Sequence, residues 1–164
     1  MREDVCCFTG HRVIHADKKQ RIHDNLQQCV YDMIQKGVIF FAAGGALGFD
    51  TMAALVVLEW KKVYPQIRLV LVLPCEDQMR GWSKEDVDLY RFIFEKADMV
   101  IYTAKTYTKG CMHRRNRHLV DISGHCIYYL EKKSGGTAYT VDYAQQNGLQ
   151  LVSVMEESNE TKSI

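Results

Sequence analysis

Residues 42–51 read AAGGALGFDT and residues 132–140 read KKSGGTAYT. Each stretch follows an apolar, strand-like run and opens a helix-like segment, so the chain twice passes from strand to helix through bare glycine backbone. A helix N-terminus offers unpaired N–H donors and the positive end of the peptide dipole, and backbone without side chains lets an anion approach it closely. The pair predicts two loops, carrying Gly44, Gly45 and Gly48 on one side and Gly135, Gly136 and Thr137 on the other, that face one phosphate-bearing ligand.

Outward from these loops the same alternation fills the chain. Residues 5–8 form a short apolar run stopped by Thr9 and Gly10, and from Asp17 onward Ile22, Leu26, Cys29, Val30, Met33 and Ile34 fall at helical spacing until Gly37. Residues 38–43 supply a second strand, and the first glycine loop leads into a helix over 51–62. Residues 67–73 form the clearest strand, which Pro74 breaks. A polar loop over 75–82 precedes a helix from Ser83 to about Ala97, with Asp86 placed close to a capping box. Strands over 98–102, 125–130 and 149–154 and helices over 112–123 and 137–147 complete the pattern, with Gly148 as a C-cap.

Parallel strands need crossover connections, so this alternation predicts an α/β, Rossmann-like fold: an open, mainly parallel sheet with helices on both faces. The nearly continuous apolar strands fit a sheet covered on both sides. No linker interrupts the pattern, so a single domain over 1–155 is expected, followed by a polar C-terminal tail over 156–164.

Composition excludes several functions. Lys and Arg total 21 against 20 Asp and Glu, so no global positive field gathers the phosphates of a duplex, and extensive nucleic-acid binding is not expected. No apolar run reaches the roughly 20 residues that span a bilayer, and the polar start MRED lacks the apolar stretch of a signal peptide. A cytoplasmic protein without membrane contact is the expectation. The six cysteines are scattered among apolar neighbours and read as reduced, buried thiols. Cys111, His113 and His118 have the only metal-like spacing but lack CxxC or HExxH geometry, and neither a metal nor a cofactor is expected.

In open α/β sheets ligands collect at the carboxyl edge of the strands. That rule selects the loops 9–12, 44–51, 74–82, 103–115 and 134–140. The first holds Thr9, Gly10, His11 and Arg12, of which Arg12 suits bidentate phosphate binding. GGxxG at Gly44, Gly45 and Gly48 is neither the GxGxxG of dinucleotide dehydrogenases nor a Walker loop with its lysine, so hydride transfer and ordinary nucleoside triphosphate hydrolysis are disfavoured. Asp50 and Thr51 either cap the following helix or contact a ribose or phosphate. In CMHRRNRH, residues 111–118, cations crowd a helix start where they oppose the dipole, which calls for an anionic partner. Arg115 and Asn116 are the expected inward pair, Asn116 reading a base or ribose edge. Trp82 and Tyr107 lie in rim loops and either stack on a base or pack on the domain.

TGHR, AAGGALGFD, CMHRRN and SGGTAYT, in this order on an alternating chain, resemble the SLOG superfamily, specifically its YpsA-like branch. Related branches include the DNA-processing protein DprA and the Lonely Guy phosphoribohydrolases. The resemblance covers nearly the whole domain and implies a Rossmann-like nucleotide-binding fold, often dimeric, with 51–62 or 83–97 as candidate interfaces. Against the Lonely Guy motif MHxRK, Met112 to Arg115 match and Asn116 replaces the lysine. Arg115 would then occupy the catalytic arginine position if the protein is an enzyme. The PGGxGTxxE motif departs further: the proline is missing, the glutamate position falls on Tyr139, Thr140 or Val141, and Asp142 is one residue off.

The expected function is binding or sensing of a nucleotide or nucleotide-derived ligand. The alternatives are a phosphoribohydrolase that cleaves the N-glycosidic bond of a nucleoside monophosphate, with Asp142 or another group in place of the missing glutamate, and an interaction protein with a vestigial pocket.

Overall fold

Six strands, β1 (Val5–Gly10), β2 (Phe40–Ala43), β3 (Arg68–Leu73), β4 (Met99–Tyr102), β5 (His125–Tyr129) and β6 (Gln150–Ser153), form one all-parallel sheet in the order β4-β3-β2-β1-β5-β6. They alternate with α1 (Ala16–Gln35), α2 (Phe49–Lys61), α3 (Lys84–Lys96), α4 (Cys111–Asp121) and α5 (Gly136–Gln146). This is a computed structural model, and it describes residues 1–156. Residues 157–164, nearly all of the expected tail, lie outside the described residues.

The order of the strands decides which helix covers which face. From β1 to β4 the chain steps outward in one direction, and it then returns through α4 to set β5 on the other side of β1. Right-handed crossovers made in opposite directions place their helices on opposite faces. Accordingly α1, α2 and α3 pack over Cys6, Phe8, Phe41, Leu69 and Leu71, whereas α4 and α5 pack over Cys7, Ala42, Val70 and Cys126. Alternate residues of each strand thus enter different halves of the core, which is why these strands are apolar throughout. All six cysteines are free and buried.

Local chemistry sets the helix ends. Ser83 caps α3, its hydroxyl accepting the Asp86 N–H at 3.1 Å. β1 runs two residues past the apolar stretch 5–8, because Thr9 and Gly10 pair with Tyr128 and Tyr129 of β5. Of the two helices expected to hold a dimer interface, α2 buries Phe49 and its alanines and valines in the core, while α3 leaves Phe92 and Phe94 exposed. No helix among the described residues is long and apolar enough to cross a membrane.

Phe41 is fully buried and stacks on Phe8 at 6.2 Å between ring centroids. Phe41→Ala is expected to lower stability by about 3–5 kcal/mol, measured from the urea unfolding midpoint.

Candidate functional site

Strand order reverses between β1 and β5, and there a cleft of about 410 Å³ opens at the carboxyl edge of the sheet. Thr9, Gly10, His11 and Arg12 come from the end of β1, and Ala46 and Asp50 from the first glycine loop and the start of α2. The first turns of α4 add Met112, His113, Arg115 and Asn116, and the loop from β5 to α5 adds Lys132, Ser134, Gly135, Gly136 and Thr137.

Arg115 forms the floor. It is only 3 % exposed, and a guanidinium so deep must be paired. Nε donates to Asn116 Oδ1 at 2.7 Å and Nη1 donates to the Gly44 carbonyl. Asp50, 7 % exposed, lies beside it, Oδ2 accepting the Ala46 N–H at 3.2 Å. Burial pushes the Asp50 carboxyl above its ordinary range, opposed by the Arg115 charge, the Ala46 N–H and the Arg12 charge. Burial likewise lowers the Arg115 pKa, and the Asp50 charge opposes that shift.

The first glycine cluster makes this burial possible and does not line the cleft. A Cβ on Gly44 would stand 2.7 Å from Arg115 Nη1 and 2.9 Å from Asp50 Oδ2. Gly48, at φ +79°, lets α2 begin against the backbone of Arg12, whose carbonyl oxygen would lie 2.2 Å from an added Cβ. Gly45 faces Leu73 and Gln78, and Thr51 donates its hydroxyl to the Ala46 carbonyl at 3.0 Å. Gly44, Gly45, Gly48 and Thr51, read from the sequence as ligand contacts, therefore shape the wall from behind.

His11 ties the two loops together. Its Nε2 accepts the N–H of Glu131 at 2.9 Å and of Lys132 at 3.3 Å, so the proton sits on Nδ1 and the ring is neutral. Burial lowers its pKa, with Glu131 raising it and Lys132 lowering it further.

The second glycine cluster is open. Gly135 and Gly136 are exposed, nothing stands within 4 Å of a Cβ on either, and no side chain caps α5. The opening N–H groups of α5 have no partner in the preceding turn. Ser134, the first residue of the selected loop 134–140, also lines the cleft, and so does Lys132, which lies outside the selected loops since nothing local distinguishes it from its neighbour Lys133.

Several other residues singled out by sequence do not reach the cleft. Asp142 accepts from Gln146 at 2.9 Å and lies in a separate groove beyond α5. Trp82 packs edge-on against Tyr90 at 5.6 Å, and Tyr107 is exposed and does not line the cleft. No three His, Cys, Asp or Glu among the described residues gather as a metal-binding set.

The family model described as the YspA SLOG family matches residues 6–155. The chain belongs to the SLOG family of YpsA-type proteins. This SLOG chain is 32 % identical over 140 residues to UPF0398 protein BH1768 of Halalkalibacterium halodurans, an alignment covering 84 % of the chain and 71 % of that protein. With a UPF0398 protein of Bacillus thuringiensis (strain Al Hakam) it shares 29 % identity over 118 residues, 70 % of the chain and 64 % of the relative. Among solved structures it resembles DNA processing protein A of Streptococcus pneumoniae, with a TM-score of 0.66 and 17 % identity. That match takes in 90 % of the SLOG chain and 49 % of the other, so the chain spans about half of that protein. DNA processing protein A of Helicobacter pylori, described for its single-stranded DNA binding mode, matches with a TM-score of 0.65 and 18 % identity, covering 97 % of the chain and 70 % of its own. The two likenesses establish the shared fold.

Gly44→Ala forces its methyl between Arg115 and Asp50 and is expected to cost about 1–3 kcal/mol, read from urea denaturation. A second prediction concerns pH. With the folded pKa of His11 below its ordinary 6.5, the unfolded chain takes up the proton first as pH falls. The His11 contribution to stability is therefore complete above pH 6.5 and is lost as pH drops through and below that value. Amide-exchange protection at Glu131 and Lys132 should fall over the same window, and His11→Ala should abolish that pH dependence.

Proposed function

We propose that the cleft binds a nucleotide or a nucleotide-derived anion and holds it without turnover, its phosphate lying at the start of α5. One observation carries this reading: the uncapped α5 N-terminus, Arg12 and Lys132 line one switch-point cleft. Neither Arg12 nor Lys132 forms a salt bridge among the described residues. Unpaired amides, positive dipole and free cations suit a phosphate. The volume falls within the roughly 300–1,000 Å³ of small-molecule sites.

Charge counted over the whole chain understates this site. Arg12, Arg115 and Lys132 face Asp50 alone, three cations to one carboxylate among the lining residues. The charge-balance argument against nucleic acid concerns extensive binding, and a short single strand belongs among the ligands to be tested. Binding without turnover is supported by the placement of Asp142, which leaves the cleft without the carboxylate that the phosphoribohydrolase reading nominates.

Titration calorimetry and thermal shift with nucleoside mono- and diphosphates, ADP-ribose, a dinucleotide, oligo-dT and inorganic phosphate test the proposal. A nucleotide should raise the melting temperature, and Arg12→Ala and Lys132→Ala should each weaken its binding about tenfold, the loss of one charge-assisted hydrogen bond of about 1.5 kcal/mol. If no nucleotide shifts the melting temperature, the binding reading fails. Release of free base from a nucleoside monophosphate, lost in folded Arg115→Ala, would replace it with the hydrolase.

A further inference from the structure

The cleft has two chemically different ends. Around the start of α5, Lys132 and the opening amides present donors and positive charge, while the Arg12 charge reaches Asp50 on the other side of the cleft. At the floor, Asp50 presents a carboxylate that is more than nine-tenths buried. One of its oxygens takes the Ala46 N–H, and no second protein hydrogen bond reaches the carboxylate among the described residues. Arg115 offsets its charge from nearby, yet the two make no salt bridge, because Nε and Nη1 of Arg115 are committed to Asn116 and Gly44.

A buried carboxylate with an unused oxygen repels phosphate and requires donors from whatever fills the cleft. In a nucleotide, the ribose diol supplies two hydroxyl donors a short distance from the 5′-phosphate. Dinucleotide-binding folds meet that diol with an acidic residue at the end of the next strand. Here the only lining carboxylate among the described residues sits instead in the first turn of α2, two positions after Gly48.

We propose that Asp50 reads the ribose diol, so that the cleft selects ribonucleotides over 2′-deoxyribonucleotides. This rests on the nucleotide reading above. It also predicts that short single-stranded DNA binds poorly in this cleft. Asp50 accepts the hydroxyl protons as hydrogen bonds and takes part in no covalent step.

The test is calorimetric titration of the full chain with the four ribonucleoside 5′-monophosphates and their 2′-deoxy counterparts. For the base that binds best, the ribose form should bind about ten- to a hundredfold tighter, the range for one hydrogen bond to a charged group. Asp50→Asn, checked for folding by its unfolding midpoint, should shrink that ratio at least about threefold, since a neutral acceptor is weaker. Equal affinity of the unaltered protein for both sugars overturns the assignment of Asp50 and leaves nucleotide binding intact, as expected if the carboxylate instead meets a base amino group. A ratio unchanged in folded Asp50→Asn also overturns it. Absence of binding by either sugar form overturns the nucleotide reading itself. Should Asp50→Asn fail to fold, Asp50→Glu, which keeps the charge and moves the carboxylate, replaces it and should likewise shrink the ratio, an unchanged ratio overturning the assignment.

Discussion

A guanidinium held out of water is the constraint around which the site is built. Arg115 lies on the floor of the cleft at 3 % exposure, and an unpaired charge at that depth would cost several kcal/mol. Its hydrogen-bond partners are Gly44 after β2 and Asn116 beside it on α4, and the Asp50 charge at the start of α2 lies close by. Satisfying one side chain therefore fixes α4 against the end of β2 and the start of α2. The glycines follow from the same demand. Gly44 must be bare because the guanidinium and the carboxylate occupy the space of a methyl group, and Gly48 must be bare because α2 begins against the backbone of Arg12.

The two glycine loops share a sequence pattern and differ in chemistry. Around the first, the protein supplies its own partners: Phe49 N–H donates to the His11 carbonyl at 3.1 Å, Ala46 N–H to Asp50, and Thr51 to the Ala46 carbonyl. Little of that backbone is left for a ligand. Around the second, no side chain caps the helix and both glycines stand open. His11 couples the two, since its ring accepts amides from the β5 side while its carbonyl receives α2. The cleft thus has a floor whose groups are met by the protein itself and a rim with an uncapped helix start and open glycines.

The alternation of strands and helices was legible because each strand is covered on both faces and each helix on one, and those burials leave periods of two and 3.6 residues in the apolar pattern. Ser83 with Asp86 announced its helix start in the same local way. Arg115 and Asn116 were legible as an inward pair because cations at a helix start are costly unless something compensates them. Gly44, Gly45, Gly48 and Thr51 were placed in the right loop, yet whether a bare backbone faces a ligand or a neighbouring side chain depends on contacts with Arg115, Gln78 and Arg12, which are distant in sequence. Lys132 carried no signal, since a lysine before a glycine pair is ordinary loop composition.

By itself the sequence determined the secondary structure, the α/β class and the SLOG motifs, because each is written in local spacing and residue type. The strand order, the reversal between β1 and β5 that opens the cleft, and the hydrogen bond of Arg115 to Gly44 beside Asp50 were decided only by the tertiary structure. They depend on which distant segments share a small buried volume, and the cost of leaving a charge there unpaired selects an arrangement that no local pattern records.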